Sequence, residues 1–352
     1  PRPRSTLVER ADLQVWLADA LASRALVLLC APAGYGKTTL LASAVARRPP
    51  TDALAWVSAD VGDDLHRLLE CALSALEPFD PPWKTAPEGL LAALGRGQDA
   101  VRREVAAEII NTLDACAVPH GLIVFEDVHR VDDPEFFRFL DQLIERRSPR
   151  WTLALTSRTE PPLALARLRA TDDLAELRQA QLQFAREDAR TLAAQCGLDT
   201  AAADLLFDRT LGWPAGLRIG IGALSGAPSG DAGAPRSEKR NFEATSTLET
   251  ERALRTLERA MFDYLVAEVL EQLPGDLADF LLCASVLPEL TADRCAAVTG
   301  HVDADRRLDD LERLGLFVEV LDSTTRTLRL HDLFRDALQQ QLRLRQPERL
   351  AG

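Results

Sequence analysis

The chain has 352 residues, a formal net charge of −13, and 47% hydrophobic and 27% charged residues. The length allows two or three domains with cores of their own, and the acidity argues against nucleic-acid binding by the chain as a whole. No apolar run approaches the ~20 residues that a transmembrane helix needs. The six cysteines show no C-x-x-C spacing, so the sequence indicates neither a zinc site nor a disulfide framework. Buried free thiols in a reducing cytoplasm are the simplest explanation of the cysteines. Because the sequence begins at Pro1 rather than Met, we expect it to be a trimmed part of a longer protein.

The segment before the first strand is predicted to form a short amphipathic helix. Apolar residues recur at spacings of three and four between Leu7 and Leu21. Such a helix would cover one side of a sheet. Val8 and Arg10, at its beginning, are candidates for the adenine side of a nucleotide site.

The first motif is a predicted phosphate-binding loop. An apolar strand over 26–30 leads into a Gly-containing loop, Gly36-Lys37-Thr38, and a helix-like run over 40–45. Glycines let backbone N–H groups turn inward onto phosphate, and the helix N-terminus adds partial positive charge. Ala31 replaces the first glycine of the usual G-x-x-x-x-G-K-[ST] pattern. The candidate phosphate-binding residues are Gly34, Tyr35, Gly36, Lys37, Thr38 and Thr39, with the Thr38 hydroxyl as a Mg²⁺ ligand.

The next elements are read from periodicity and from chain-breaking residues. A buried strand is predicted over 54–57 and helices over 65–76 and 101–115. A loop is predicted over 78–98 because this stretch contains Pro81, Pro82, Pro87, Gly95 and Gly97.

The second motif is a strand that ends in two acids. Residues 121–125 are mostly apolar, and Glu126 and Asp127 follow at the end where a parallel strand delivers functional groups. In a nucleotide-dependent protein one acid holds Mg²⁺ and the other orients or activates water. Which acid has which role stays open, because many such strands place Asp first, whereas Glu126 is first here. His129, two residues after Asp127, is a weaker candidate for a functional residue.

Two further strands complete the predicted sheet. Asp132-Asp133-Pro134 is typical of a helix start, and a strand over 151–157 places Arg158 where it could contact a γ-phosphate. Alternating leucines over 174–184 predict the last strand.

The second half is predicted to be mainly helical. Helical patterns begin at Arg186, Gly212-Trp213-Pro214 indicates a helix–helix turn, and residues 224–240 have the composition of a mobile linker. Helices are predicted over 262–272, 276–286, 291–299 and 304–314, followed by strands over 316–320 and 327–330 with a turn at 322–325.

Helices followed by a hairpin are typical of a winged helix, a fold that often binds DNA. Residues 262–352 contain 17 Asp and Glu against 10 Arg and Lys, a net charge of −7, which opposes phosphate-backbone contact. We therefore expect this part to make intramolecular contacts or to contact another protein. The predicted domains are a P-loop nucleotide-binding domain over 1–185, a helical domain over 186–260 and a winged-helix domain over 261–345.

Taken in order, these motifs resemble the MalT-like regulators, large ATP-binding members of the LuxR family that belong to the STAND group of AAA-related P-loop ATPases. The matching stretches are 31–39, 122–129, 156–158 leading to 168–169, 212–216, 264–270, 315–317 and 331–334. The likeness covers nearly the whole chain except the linker.

The resemblance implies an α/β P-loop NTPase of the ASCE type with a parallel sheet, then a helical domain and a winged-helix domain, closed around ADP. It implies that phosphate and Mg²⁺ are bound by Lys37, Thr38, Thr39, Glu126 and Asp127. Arg158 matches the arginine that acts as a sensor in the family. Pro214 matches a residue that packs on adenine, and His331 one that reaches the ADP phosphate. The family's sensor and helix-turn-helix domains are missing here, so inducer and promoter recognition are expected outside this chain.

The function expected from this resemblance is an ATP/ADP-dependent signal-transduction switch that is closed with ADP and self-associates with ATP. Hydrolysis is expected to be slow and to reset the switch. An inducer would act through regions outside this chain, and neither DNA nor a membrane is an expected partner. The alternatives are a P-loop ATPase or kinase with conventional turnover, and a non-catalytic scaffold that nucleotide stabilises.

Overall fold

The computed structural model describes residues 8–94, 99–225, 259–313, 318–322 and 327–345. The chain divides into two compact units. The first contains Glu9–Ala31 and Lys37–Ala180, and the second contains Val8, Pro32–Gly36 and the residues from Gln181 onward. Each unit is described by itself below.

The first unit is built on a five-stranded parallel sheet, which confirms the predicted fold class. Its strands pair in the order β2-β3-β4-β1-β5. β1, β3 and β4 are buried along their whole length, as expected for parallel strands covered on both faces. The strands are β1 (Leu26–Cys30), β2 (Ala53–Ser58), β3 (Gly121–Glu126), β4 (Trp151–Ser157) and β5 (Leu174–Arg178).

The register of the sheet brings the carboxyl ends of the strands to one edge. Cys30 at the end of β1 pairs with Ser157 of β4, and Glu126 at the end of β3 pairs with Ser58 of β2. Ligands bind at this edge in open parallel sheets. The two predicted motifs therefore follow strands that end on the same side.

One helix precedes the first strand, six lie between strands and one follows the last strand in the described part of this unit. They are α1 (Ala11–Ser23), α2 (Lys37–Val45), α3 (Leu65–Leu76), α4 (Pro87–Leu94), α5 (Asp99–Ala115), α6 (Pro134–Arg146), α7 (Leu165–Ala170) and α8 (Gln179–Leu182). Short 3-10 turns lie at Glu77–Phe79 and Val128–Arg130.

Two sequence predictions in this unit were wrong in part. The loop predicted over 78–98 contains α4, which begins with Pro87, a residue tolerated in the first helical turn, and buries Leu90 and Leu94. The last strand, predicted over 174–184, ends at Arg178, and the chain continues as α8. Alternation alone did not show where the pairing with β1 ends.

The second unit begins with three helices: α9 (Arg186–Gln195), α10 (Thr200–Thr210) and α11 (Pro214–Ser225). The predicted helix–helix turn is confirmed. Leu211 and Gly212 adopt left-handed conformations with φ of 47° and 77°, and Pro214 opens α11. Of the predicted linker over 224–240, Leu224 and Ser225 belong to α11, and 226–240 lie outside the described residues.

The C-terminal part contains further helices and an antiparallel hairpin, as predicted for a winged helix. Leu290 also exchanges backbone hydrogen bonds with Leu328 of the hairpin at 2.8 and 2.9 Å. A closing helix was not predicted. The elements are α12 (259–268), α13 (Gly275–Ala284), α14 (Ala292–Thr299), α15 (Ala304–Arg313), β6 (Val318–Asp322), β7 (Thr327–Leu330) and the closing helix α16 (Asp332–Arg345), with a 3-10 turn at Leu270–Gln272.

The predicted turn over 322–325 begins with Asp322, the last residue of β6, and its other residues lie outside the described part of the chain. Among the helices within the described ranges, none is both long and apolar enough to cross a membrane.

Candidate functional site

The predicted phosphate-binding loop connects β1 to α2. Gly34 and Gly36 have φ of 78° and 77°, a region that residues with a side chain rarely adopt. A Cβ on Gly34 would lie 2.5 Å from the Ala215 Cβ and 2.7 Å from the Trp213 Nε1, whereas one on Gly36 would meet nothing within 4 Å. Both glycines are required by backbone conformation, and Gly34 also by space.

Lys37, the first residue of α2, is buried with 7% of its surface exposed. Its Nζ donates a hydrogen bond to the Ala31 carbonyl at 2.7 Å. Burial lowers the pKa of Lys37 to about 8; Asp127 opposes the shift and Arg158 adds to it. A buried ammonium group is costly without anions around it, so this position favours a negatively charged ligand.

Glu126 ends β3 as a hydrogen-bonded carboxylate. One oxygen accepts from the Trp56 Nε1 at 3.0 Å and the Ser58 hydroxyl at 2.8 Å, and the other accepts from the Thr38 hydroxyl. Burial raises the pKa of Glu126, but the donors Thr38, Ser58 and Trp56 outweigh it, and the pKa is lowered overall. The structure thus places two of the predicted Mg²⁺ ligands in direct contact.

Asp127 is held differently from its neighbour. It has φ of 57°, and its backbone N–H donates to the Thr156 hydroxyl of β4 at 2.9 Å. Burial raises the pKa of Asp127, Lys37 opposes this, and the like charge of Glu126 adds to it. The two acids therefore have pKa values displaced in opposite directions.

Arg158 and His129 contribute to the electrostatics of the same edge. Burial, together with the positive charges of Arg158 and Lys37, lowers the pKa of His129 to about 3, so its imidazole is neutral. Within the described residues, neither buried ring nitrogen has a hydrogen-bond partner. The Nδ1 lies 3.9 Å from the Asp127 Oδ1, a contact that is not an ion pair while the ring is neutral.

The remaining predicted residues lie on several elements. Tyr35 is buried in the loop, and the Thr39 carbonyl in the first turn of α2 accepts from the Ser43 hydroxyl at 2.9 Å. Arg10 precedes α1. Val8 and Pro214 belong to the second unit, as does His331, whose Nδ1 accepts from the Leu333 N–H at 3.3 Å. The roles given to these residues stay predictions.

Four residues that touch the motifs were given no individual role from the sequence: Trp56, Ser58, Thr156 and Trp213. Trp56 and Ser58 stand two apart on β2, so they share one face next to the end of β3. That strand order is not readable from the sequence. Trp213 was interpreted as part of a turn and of the matching stretch 212–216, without a contact of its own, yet its Nε1 donates to the Ala33 carbonyl at 3.1 Å.

A metal would need ligands beyond the carboxylates and histidines. The described side chains form no group of three or more His, Cys, Asp or Glu that could hold an ion. Mg²⁺ commonly uses one or two protein ligands together with water and substrate phosphates. Thr38 with Glu126 or Asp127 fits that pattern.

Comparison with known proteins supports the sequence interpretation. Residues 266–350 match the family profile "MalT winged helix domain". The chain is 29% identical over 330 residues to the HTH-type transcriptional regulator MalT of Vibrio cholerae and 28% identical over 326 residues to that of Yersinia enterocolitica, covering 92% of this chain and 34% of each relative. It therefore spans about a third of the length of these curated relatives.

A solved structure shows the same fold. The Walker-type ATPase paby2304 of Pyrococcus abyssi superposes with a TM-score of 0.61 at 15% sequence identity, covering 96% of this chain and 98% of that one. At this identity the likeness concerns the fold alone. The chain is therefore a relative of the MalT transcriptional regulators that combines the fold of a P-loop NTPase with a MalT-type winged helix domain.

Proposed function

We propose that this chain is the nucleotide-binding core of a MalT-like signal-transduction switch that responds to ATP and ADP. The observation that carries the proposal is the meeting of Lys37, Thr38 and Glu126 at the carboxyl edge of the sheet, with the Thr38 hydroxyl donating to Glu126. The loop before them has the two left-handed glycines that a phosphate cradle requires.

The surroundings of the two acids support a division of roles. We assign Glu126 to the Mg²⁺ shell together with Thr38, because its carboxylate is kept ionised by three donors and already contacts the Thr38 hydroxyl. We assign Asp127 to the attacking water, because a carboxylate whose pKa is raised is the better proton acceptor. Mg²⁺, when bound, would neutralise charge on the phosphates.

Arg158 and Lys37 complete the proposed catalytic group. Lys37 would contact the β- and γ-phosphates, and Arg158 would sense the γ-phosphate from the end of β4. The water oxygen bonds to the γ-phosphorus, the bridging bond breaks with its electrons going to ADP, and the water proton goes to Asp127. We expect slow hydrolysis that resets the switch.

The off state is proposed to contain ADP. Following the family pattern, His331 of the winged helix reaches the ADP phosphate, and Val8, Arg10 and Pro214 lie on the adenine side. Exchange for ATP releases His331 and permits self-association. Moving a two-state equilibrium from 1:99 to 99:1 needs ~5.5 kcal/mol, whereas one charge-assisted hydrogen bond supplies ~1.5–3 kcal/mol. The rest of this free energy therefore has to come from other contacts between the domains or from an inducer acting through regions outside this chain.

Light scattering with the nucleotide-free, ADP-bound and ATP-bound chain tests this proposal. We expect a monomer with ADP and larger species with ATP and Mg²⁺, and His331→Ala should speed ADP release and increase self-association. The same monomer in all three states, with an unchanged exchange rate in His331→Ala, would favour a nucleotide-stabilised scaffold. Rapid phosphate release without any partner would favour a conventional ATPase.

A further inference from the structure

Trp213, in the turn before α11, holds the backbone of the phosphate loop. Its indole Nε1 donates to the Ala33 carbonyl at 3.1 Å, and the Ala215 backbone N–H donates to the Gly34 carbonyl at 3.0 Å. All these residues belong to the second unit, and Trp213 is 3% exposed. Two successive carbonyls of the loop are thus fixed from α11 and the turn that precedes it.

Fixing these carbonyls also orients the N–H groups of the loop. In a trans peptide the C=O and the following N–H point in opposite directions across one plane. With the Ala33 and Gly34 carbonyls held towards Trp213 and Ala215, the N–H groups of Gly34 and Tyr35 point away from them. A phosphate cradle needs successive N–H groups that point together towards the anion, and holding the two carbonyls on the opposite side supports that conformation.

The approach of the turn to the loop is very close. The position of a Cβ on Gly34 is already occupied by Ala215 and the indole, at 2.5 and 2.7 Å. Gly36 has nearly the same left-handed φ, but a Cβ added to it would meet no atom within 4 Å. Trp213 and Gly34 therefore fit each other, and a shift of the indole acts directly on the loop.

The indole also contacts the helix with which the winged-helix part begins. Tyr264 of α12 packs edge to face on Trp213, with ring centroids 5.4 Å apart and planes at 61°. A Cβ on Gly216 would lie 2.5 Å from the indole and 3.1 Å from the Met261 side chain of α12, so these groups are closely packed. Trp213 thus has the phosphate loop and α12 as neighbours.

We propose that Trp213 is a positioning residue of the phosphate loop and that it couples nucleotide binding to α12 through Tyr264. The inference rests on the proposed nucleotide binding and names how that site is regulated. Because coupling between two sites is reciprocal, changes in α12 alter nucleotide affinity, and nucleotide alters the stability of α12.

A double-mutant cycle on the full 352-residue chain tests the coupling. We would measure the ADP affinity of Trp213→Phe, which keeps an aromatic ring and removes the N–H donor, of Tyr264→Ala, and of the double variant. Each single change should weaken ADP binding about three- to tenfold, and the double variant should lose less than the product of the two. Asp263→Ala, an exposed neighbour on α12, should leave the affinity unchanged.

Hydrogen exchange separates coupling from a structural effect. ADP should increase amide protection over 259–268 in the unaltered chain and in Asp263→Ala, but not in Trp213→Phe, with the nucleotide-free melting temperatures compared alongside. The coupling would be overturned, with nucleotide binding unaffected, by either of two results. The first is a loss of ADP affinity in the double variant equal to the product of the two single losses, and the second is ADP-dependent protection of α12 that persists in Trp213→Phe. Absence of ADP binding by the unaltered chain would overturn the proposed function itself.

Discussion

At the scale of single residues, the carboxyl edge of the sheet contains ionisable groups whose surroundings differ sharply. Glu126 accepts hydrogen bonds from three side chains, Lys37 is a buried cation, and His129 is a buried neutral ring. Perturbed pKa values of this kind cluster at functional sites. The cost of holding such groups is expected to appear as lost stability in the nucleotide-free protein.

Lys37→Met tests that cost. Removing a buried ammonium relieves its desolvation, and the lost hydrogen bond to Ala31 offsets only part of the gain. We expect the nucleotide-free variant to be more stable than the unaltered chain by about 1–2 kcal/mol and to bind no nucleotide. Urea unfolding together with ADP titration measures both. A clear loss of stability in Lys37→Met would show that the lysine supports the fold rather than the ligand.

Gly34→Ala and Gly36→Ala form a matched pair. Both substitutions strain a left-handed backbone by about 1–2 kcal/mol, but only the first forces a methyl group against Ala215 and Trp213. We expect Gly34→Ala to lower the free energy of unfolding of the nucleotide-free chain by about 1–3 kcal/mol more than Gly36→Ala. Chemical denaturation of both variants measures these free energies. If both variants lost the same free energy of unfolding, the turn that contains Trp213 and Ala215 would move aside without an energetic penalty.

At the scale of elements, the ends of helices and strands position the site. Asp133 caps α6 by accepting from the Glu135 N–H at 2.9 Å, and its other oxygen accepts from the Leu65 N–H, also at 2.9 Å. It therefore joins the starts of α3 and α6. Asp64 caps α3 alone, by accepting from the Arg67 N–H at 2.8 Å.

This difference predicts unequal effects of removing the two caps. Asp133→Ala should destabilise the chain by about 2–3 kcal/mol and Asp64→Ala by about 1 kcal/mol. Urea titrations of both variants measure the free energies of unfolding and test this difference. If both variants lose the same amount, the bond between Asp133 and Leu65 contributes nothing, and the two helix starts are independent.

Much of the first unit could be predicted because local pattern and tertiary role agree there. The apolar runs of β1 and β3 and the Asp133-Pro134 helix start identified their own elements. Residues 78–98 misled the prediction because prolines and glycines dominate the local signal, although Leu90 and Leu94 of α4 are buried. The partners of Glu126 could not be predicted, because they depend on β2 lying beside β3.

At the scale of the whole molecule, the order of the motifs carried more information than any single one. The sequence resemblance to MalT-like regulators is confirmed by relatives at 28–29% identity over 92% of the chain and by the winged-helix match over 266–350. The chain spans about a third of the length of those relatives. The property that can be tested directly on this chain is nucleotide binding.

The identity of the nucleotide carried through purification tests that claim most directly. Freshly purified chain would be denatured, and the released small molecules separated by chromatography, with Lys37→Met treated in parallel. We predict ADP in an amount that matches the unaltered protein and none from the variant. If no purine nucleotide is released, and titration with millimolar ADP or ATP shows no binding, the account is contradicted.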